Sequence, residues 1–482
     1  MLEILSHQYL KKFMRSKTID WDHIYSFGRI ISKCIQNEST YLINSEIFFS
    51  KDWVFPTLIP LFLNEENSTL ILTAEKIEFL KSTQLKELKN LGLTFYLEND
   101  QIIFPNHKIN LITLKNLLSN DNYLKLKNHR FILSGIENLK QNLKIHFRLI
   151  LSRKDWITKY KNSDPFSKKV FSTYNSLKKR FFLRKSLGNN YLVLDKKEVN
   201  FLSEFFHENS SFSEKFLKVS NALLDGWACW VRLDNKNFEW NFYLEPIDEL
   251  SQVKALLIEN RFVYLSALRR DYFLHKYLKK QSLDIDLVIN FKSNFTEKKI
   301  QLYVPPKQLL PNNPFFTEVI LDKCKKLIIF RSSSTLVLCD DIDLKTTLAT
   351  ELASKHGKRV LLESMPSHNN EIICSSFDWW IQNYSHMQIP GQIIVPLLPI
   401  PNMSEPINII TVSHNKKLSR DWFREFLLPE ALVKLERSIS PLRKNAGKLI
   451  ILDGRVNQRK WGRSLLQSIQ PSKEINYVLP FD

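Results

Sequence analysis

The sequence predicts an α/β protein with two parallel-sheet domains. Short apolar runs alternate with helical stretches along both halves of the 482-residue chain, and this alternation is typical of parallel sheets. A proline-rich link, VPPKQLLPNNP (304–314), marks the best boundary between the halves. A basic stretch interrupts the alternation and predicts a helical insertion at about 140–250. The predicted domains are therefore residues 1–303, which include the insertion, and residues 304–482.

Five apolar runs in the first half predict buried strands. They are YLIN (41–44), TLILT (69–73), LTFYL (93–97), RFILS (130–134) and RFVYLSAL (261–268). Helices are expected before and between these strands, because 21–34 places Ile24, Phe27 and Ile31 at helical spacing and 75–91 is a second helical stretch. Strand-like runs also occur inside the insertion, at 191–195 and 240–246.

The same alternation resumes after the proline-rich link. Six runs predict strands: TLVLC (335–339), RVLLE (359–363), EIICS (371–375), QIIVPLL (392–398), INIIT (407–411) and KLIILD (448–453). A helix is expected at 344–356, between the first two of these strands. The second half is therefore predicted to be another parallel sheet with helices between its strands.

The composition favours a polyanionic partner. Lysine and arginine number 69 against 50 aspartate and glutamate residues, a formal charge of +19. Such an excess indicates nucleic acid first and acidic membrane second, although an AT-rich genome also raises the lysine content. No apolar run approaches the ~20 residues that span a bilayer, and no secretory signal is evident. We expect a cytoplasmic monomer with no membrane partner.

Glycine and cysteine usage both limit the chemistry. The chain has ten glycines, and none are spaced as GxxxxGK or GxGxxG, so it lacks a standard phosphate-binding loop. Its five cysteines lie far apart and form no CxxC pair, which argues against a zinc or iron–sulfur site and for reduced, buried thiols. They are Cys34, Cys229, Cys324, Cys339 and Cys374.

Segment 428–471 resembles the end of the DinG/XPD-like superfamily 2 helicases. In that family a helix with the motif Q-x-x-G-R-x-x-R precedes a strand ending in Asp-x-Arg and then a tyrosine–glycine pair. Here Asp453, Arg455, Trp461 and Gly462 take the last positions. Other similar segments precede it in the family's order, at 263–268, 302–316, 334–353 and 374–406. The resemblance runs from about residue 40 to the end. It implies two RecA-like domains of the P-loop NTPase type and an ATP-dependent DNA helicase.

The resemblance also locates the parts that ATP hydrolysis needs, and most have changed. The family uses a glycine-rich loop with lysine and threonine, an Asp-Glu pair, and arginines from the second domain. The loop falls on EIFFSKDWV (46–54), where Trp53 and Val54 replace the lysine and threonine. Glu46 lies in this loop, and Lys51 is two residues out of register. In the arginine motif, Glu436 replaces the glutamine and only Arg443 is kept.

The metal-binding segment has lost its Asp-Glu pair. Ser134, Gly135, Ile136 and Glu137 stand in place of Asp-Glu-Ala-His. Glu137 is either a displaced water-orienting base or a solvent-exposed glutamate at a helix start, and we favour the second. Arg443 fits a functional arginine and a surface arginine equally well. The candidate nucleotide-site residues are therefore Glu46, Lys51, Glu137 and Arg443, and we expect no ATP hydrolysis, no bound ATP or Mg²⁺ and no iron–sulfur cluster.

The start of the insertion is the strongest candidate for nucleic-acid contact. Residues 140–186 hold fourteen lysines and arginines against two aspartates, interleaved with aromatics. This pattern fits backbone neutralisation and base stacking on a single strand; alternatively the aromatics are the buried stripe of amphipathic helices, which we favour for each of them. The candidate contacts are Arg148, Arg153, Lys154, Lys168, Lys169, Lys178, Lys179, Arg180, Arg184 and Lys185. A weaker basic set is Lys416, Lys417, Arg420, Arg424, Lys434, Arg437, Arg443 and Lys444.

These observations predict a helicase-fold protein that binds nucleic acid, with single-stranded DNA favoured, and does not hydrolyse ATP. One alternative is a residual ATP-dependent DNA helicase that binds nucleotide in a different geometry. The other is an interaction module that docks a DNA repair or replication protein, with incidental positive charge. Nucleotide binding separates the first two, and salt-dependent binding of oligonucleotides separates the first from the third.

Overall fold

The structure is a computed structural model. It describes residues 1–15, 23–37, 39–51, 53–90, 92–119, 130–157, 165–184, 190–270, 274–280, 283–291, 298–328 and 333–477.

Three sheets contain the strands of the described residues. The strands are β1 (Tyr41–Asn44), β2 (Ser68–Ile71), β3 (Tyr96–Glu98), β4 (Gln101–Ile103), β5 (Lys108–Ile112), β6 (Arg130–Ser134), β7 (Leu149–Leu151), β8 (Tyr191–Val193), β9 (Ala228–Asp234), β10 (Glu239–Glu245), β11 (Arg261–Ser266), β12 (Leu287–Asn290), β13 (Ile300–Tyr303), β14 (Thr335–Leu338), β15 (Val360–Leu362), β16 (Ile372–Ser375), β17 (Gln392–Val395), β18 (Lys448–Ile451) and β19 (Ser472–Glu474).

Helices cover the faces of these sheets. They are α1 (Leu2–Met14), α2 (Ile24–Gln36), α3 (Val54–Leu63), α4 (Ala74–Phe79), α5 (Leu85–Asn90), α6 (Leu114–Leu118), α7 (Leu139–Phe147), α8 (Arg153–Ile157), α9 (Pro165–Leu183), α10 (Lys196–Glu208), α11 (Glu214–Leu224), α12 (Lys254–Glu259), α13 (Leu274–Lys280), α14 (Phe316–Ile328), α15 (Ile342–His356), α16 (Phe377–Asn383), α17 (Pro406–Lys417), α18 (Leu428–Ile439), α19 (Leu442–Asn445), α20 (Arg455–Gln458) and α21 (Gly462–Ile469). In the part of the chain that the structure describes, no helix combines the length and the apolar character needed to cross a membrane.

The first domain is built on an eight-stranded sheet in the order β12-β1-β11-β6-β2-β5-β4-β3. The strands from β12 to β5 are parallel, and β4 and β3 add an antiparallel edge. Four of the five predicted strands are confirmed. LTFYL is wrong as a buried strand, because its apolar residue Phe95 packs against Phe62 of α3 and only the exposed end of the run enters the sheet, in β3.

The insertion between β6 and β11 is a separate α/β unit with its own core. Its helices were predicted, and its four-stranded antiparallel sheet, in the order β7-β10-β9-β8, includes both strand-like runs. Trp156, Trp240 and Phe206 are fully buried at its centre. The unit therefore does not depend on the first sheet for its hydrophobic core, whereas α7 and α12 at its two ends pack on that sheet.

The second domain is a seven-stranded parallel sheet in the order β15-β16-β14-β17-β18-β13-β19. Its first strand, β13, precedes the proline-rich link, so the predicted boundary at residue 304 is a few residues too late. INIIT is wrong as a strand: it lies in α17, where Pro406 opens the helix and Asn408, Thr411 and Val412 form its buried side. The other five predicted strands and the helix at 344–356 are confirmed.

Two helices of the second domain contact the first half of the chain. Helix α18 lies against the first sheet's loops, and α17 contacts β8 and β9 of the insertion. The carboxyl ends of the first sheet's parallel strands therefore face the second domain across a cleft.

Gly462, which takes the glycine position of the helicase pattern, is required by a close backbone approach. A Cβ on this residue would lie 1.9 Å from the carbonyl oxygen of Val456. We expect Gly462→Ala to lower the free energy of unfolding by about 1–3 kcal/mol through overpacking, measured by chemical denaturation. Ser464→Ala, at an exposed position of the same helix, is the control and should have little effect. Equal stability of the two variants would contradict this packing.

Candidate site between the two domains

A cavity of about 760 Å³ lies between the first sheet and the second domain. The loops that follow β1, β2, β5, β6 and β11 form one wall, and residues after α16 together with α18 form the other. Clefts at the carboxyl ends of parallel strands are the usual ligand sites of open α/β sheets. The cavity is therefore the main candidate site among the described residues.

The loop after β1 is packed with the chain's own side chains. Trp53 is fully buried, its indole N–H donates to the carbonyl oxygen of Ser50 at 3.1 Å, and its ring meets Phe48 edge-on at 5.3 Å. The amide of Val54, which opens α3, donates to the carbonyl oxygen of Lys51 at 3.2 Å. A phosphate-binding loop needs such amides free and a lysine in place of the tryptophan. Neither condition is met here.

Glu46 and Arg443 form an ion pair across the two domains. Their side chains are only 8% and 5% exposed, and the Arg443 guanidinium also donates to the carbonyl oxygen of Ile469 at 3.2 Å. The surface-arginine interpretation of Arg443 is therefore wrong. Two of the four candidate nucleotide-site residues meet, and each neutralises the other.

Glu137 is also buried, contrary to the favoured expectation of an exposed glutamate. It follows Gly135, whose φ of 79° turns the chain after β6, and its carboxylate accepts the amide of Ala267 at 3.2 Å. The carboxylate thus ties the loop after β6 to the loop after β11. Within the described ranges no three histidine, cysteine, aspartate or glutamate side chains are grouped as metal ligands.

Two lysines line the cavity beside these carboxylates. The Lys51 Nζ pairs with Glu75 at 2.6 Å. The Lys76 Nζ donates to the carbonyl oxygen of Phe48 at 2.7 Å and lies 5.0 Å from the ring centroid of Trp53. Burial lowers the pKa of Lys76 to about 8, against the opposing charge of Glu137. Sequence analysis missed Lys76, although its place just after β2, at the carboxyl end of a parallel strand, was a usable signal.

Helix α18 holds the second domain against this wall. The buried carboxylate of Glu436 accepts the amide of Arg269 at 2.5 Å, and the Arg437 guanidinium donates to the side-chain oxygen of Asn138. At the other end of the helix, Lys140 pairs with Glu430 at 2.8 Å. Polar contacts thus join the two domains along the length of the helix.

This two-domain arrangement matches solved XPD helicases. Xpd4 from S. tokodaii aligns with a TM-score of 0.61 and 14% identity, over 94% of this chain and 99% of that one. A second XPD helicase aligns with a TM-score of 0.56 and 11% identity, over 95% and 99%. The chain has the XPD helicase fold. The fold class predicted from the sequence and the resemblance to this helicase group are confirmed as far as the fold is concerned.

Two curated relatives are distantly similar in sequence. The ATP-dependent DNA helicase YoaA of Escherichia coli strain K12 is 19% identical over 288 residues, which cover 56% of this chain and 45% of YoaA. An uncharacterised protein of Methanocaldococcus jannaschii is 27% identical over 164 residues, covering 33% of this chain and 27% of the relative. The chain therefore spans less than half the length of these relatives. No family model matches it.

In this XPD-type fold, several candidate cations of the insertion pair with acidic residues of the same unit. The pairs are Arg148 with Glu245, Arg153 with Glu239, Lys169 with Glu208, and Arg180 and Arg184 with Glu198. Among the described residues, Lys168, Lys178 and Lys179 of α9 form no ion pair, and Lys154 is exposed. Lys185 lies outside the described residues. The insertion therefore presents fewer uncompensated charges than its sequence suggests.

Several aromatics of the insertion belong to its core, whereas Phe201 and Phe238 are exposed. Trp156, Tyr174 and Phe181 are buried and pack around Trp240. The buried-stripe interpretation is confirmed for these three, and they are not available to stack on bases. Trp380 of the second domain is likewise a packing residue, with its indole N–H donating to the carbonyl oxygen of Ser438 at 2.9 Å.

Trp53 should act as a core residue rather than as part of a ligand-binding loop. We expect Trp53→Ala to lower the free energy of unfolding by about 3–5 kcal/mol, because a fully buried ring leaves a cavity. Chemical denaturation would measure the loss. Lys51→Ala, on the same loop but partly exposed, should cost far less. A Trp53→Ala variant as stable as Lys51→Ala would mean that the loop is not packed as described.

Proposed function

We propose that the protein is a helicase-fold clamp that binds single-stranded nucleic acid, with DNA favoured, in the cleft between its domains and without hydrolysing ATP. One observation carries the second part of this proposal: Trp53 fills the lysine position and Arg443 is already neutralised by Glu46. Hydrolysis relies on charges placed around the phosphates, and here those charges are absent or engaged with each other.

The positive charge of the chain and its similarity to helicases both favour nucleic acid as the partner. The structural neighbours are XPD helicases and a sequence relative is a DNA helicase, while the chain carries a formal charge of +19. The charged lining of the cavity has four cations from both domains against two carboxylates, namely Lys51, Lys76, Lys115 and Arg437 against Glu75 and Glu137. The lining also includes the hydroxyl of Thr113. Phosphate oxygens of nucleic acids accept hydrogen bonds from basic side chains and from hydroxyl groups. Sequence-independent contact with phosphates is the interaction this set supports.

The mode of binding follows from electrostatics. Lysines that neutralise phosphates release counterions, so affinity falls as salt rises. Because the insertion's aromatic residues Trp156, Tyr174 and Phe181 are buried, base stacking on them contributes nothing, and backbone contact carries the affinity. The protein is thus expected to bind oligonucleotides of different sequence with similar strength.

The test is fluorescence anisotropy of a labelled single-stranded DNA oligonucleotide at about 50 and about 200 mM salt, with and without ATP and Mg²⁺, and with an RNA of the same sequence in parallel. We expect affinity that weakens with salt and ignores ATP. An ATP-dependent change in affinity would reject the motorless clamp in favour of a residual helicase. Absence of binding at the lower salt concentration would reject nucleic acid as the partner and favour the docking module.

The unpaired lysines of α9 should contribute to binding. We expect the triple variant Lys168→Gln, Lys178→Gln and Lys179→Gln to bind oligonucleotides of every sequence more weakly. The slope of log affinity against log salt should become shallower by at most about 2, because each phosphate contact on a single strand contributes about 0.7. Anisotropy over a salt series measures this slope.

A charge-matched control separates local contact from total charge. Lys325→Gln, Lys326→Gln and Lys355→Gln remove the same charge near the carboxyl ends of α14 and α15. None of these three lysines lines the cavity or belongs to the insertion. The control should bind almost as the parent does. Equal losses in both triple variants would show that net charge, not α9, governs binding.

Lys76 should make binding dependent on pH. Its pKa is lowered to about 8, so its cation is present at about pH 7 and is lost as the pH rises to about 9. We expect oligonucleotide affinity to fall over this interval in the parent protein, measured by anisotropy at constant ionic strength. Lys76→Gln should bind more weakly at about pH 7 and lose most of the pH dependence. Lys115→Gln, at the same cavity wall, is the control and should keep the pH dependence of affinity. An unchanged pH dependence in Lys76→Gln would contradict a role for the Lys76 amine.

A further inference from the structure

We propose that Glu46 is an internal anionic ligand of Arg443, and that this pair holds the two domains closed when nothing is bound between them. Glu46 comes directly after β1 of the first domain, in the turn Glu46–Phe49. Arg443 lies in α19 of the second domain, 397 residues away in sequence. The pair is therefore a direct link between domains rather than a local contact.

The pair is placed where an arginine has few other ways to be neutralised. Both side chains are nearly fully buried, and the Arg443 guanidinium also donates to the carbonyl oxygen of Ile469 at 3.2 Å, which carries no charge. A buried guanidinium without an anion is strongly unfavourable. In the closed arrangement Glu46 supplies this anion, so the chain needs no external anion there.

Other contacts along the same helix support the closed arrangement. The Glu436 carboxylate receives the amide of Arg269, and Arg437 reaches Asn138. Lys140 and Glu430 close the far end, with 20% and 32% of their side chains exposed. These contacts are polar and specific in geometry, whereas Glu46–Arg443 is the buried ion pair among them. The inference is that closure is a property of the folded chain and needs no ligand.

The consequence concerns regulation of the cleft. If the carboxylate of Glu46 occupies the arginine permanently, the relative position of the domains does not respond to an added nucleotide. This inference does not rest on the proposed nucleic-acid binding, because it concerns domain closure alone. It is tested without any oligonucleotide.

Energy transfer between dyes on the two domains measures closure. Ser82→Cys and Ser354→Cys provide exposed labelling sites on the first and second domains, and the five native cysteines are buried. We expect the energy transfer in the otherwise unchanged protein to stay the same after addition of ATP and Mg²⁺. A rise in transfer on adding ATP would overturn the proposal without recourse to any variant at the site.

Chemical rescue tests the role of the carboxylate itself. Glu46→Gly removes the anion and leaves space beside Arg443, so we expect transfer to fall and the melting temperature to drop. Formate, added against chloride at equal ionic strength, should restore both, as an external anion replaces the missing one. Glu430→Gly is the matched control, because its partner Lys140 is partly exposed to water and should show no selective response to formate.

Two outcomes decide the proposal even if Glu46→Gly folds poorly. The exchanged pair, Glu46→Arg with Arg443→Glu, should recover transfer that either single reversal loses. A folded Glu46→Gly or Glu46→Gln protein with the parent's transfer would overturn the inference, and so would an exchanged pair that folds but remains open. Because no nucleic acid is present, failure here leaves the proposed binding function untouched.

Discussion

Arg443 has to be neutralised, and much of the interdomain site follows from how the chain does this. The guanidinium is buried between α19 and the first sheet, where an unpaired charge is strongly unfavourable. Glu46 supplies the anion, which requires the turn after β1 to point towards the second domain. In the same loop Phe48 and Trp53 pack against each other, and the Lys76 amine donates to the carbonyl oxygen of Phe48. The loop that supplies the anion therefore also forms part of the wall that faces the cleft.

Most of the parallel strands were predictable because each is a short apolar run with helical sequence on either side. The parallel strands β5, β12, β13 and β19 were not among the predicted runs. The two errors have local causes that such runs do not reveal. Phe95 packs on Phe62, outside the sheet. In the run that begins near Pro406 the isoleucines are not among the buried residues of the helix, whereas Asn408 and Thr411 are. The sheet of the insertion was only partly foreseen, since β7 is three residues long and β9, which pairs with β10 as a hairpin, was not among the predicted runs.

The residues of the candidate site were predictable, but their pairing was not. Glu46, Lys51, Glu137 and Arg443 could be selected from the helicase pattern, yet the contact between Glu46 and Arg443 depends on domain closure across 397 residues. Lys76 belongs to no part of the pattern that concerns phosphate. The insertion's arginines were counted as free because their partners, Glu198, Glu239 and Glu245, come later in the chain and meet them only after the sheet forms. Charge counts over a window overstate a basic surface for this reason.

Magnitudes indicate what a nucleotide would face at this site. A phosphate placed at Arg443 would break the buried Glu46–Arg443 pair, a change of about 3–5 kcal/mol by analogy with other broken buried pairs. Micromolar binding corresponds to about 8 kcal/mol, so this change alone would weaken a micromolar site by roughly two to four orders of magnitude. A loop that bound phosphate would also have to displace the buried Trp53, which adds to the free-energy cost of nucleotide binding. Binding along the lysines of the cavity does not require either change, because Lys51, Lys76 and Lys115 already line it. A nucleotide at the family position therefore works against the packing of this site, at Arg443 and at Trp53 alike.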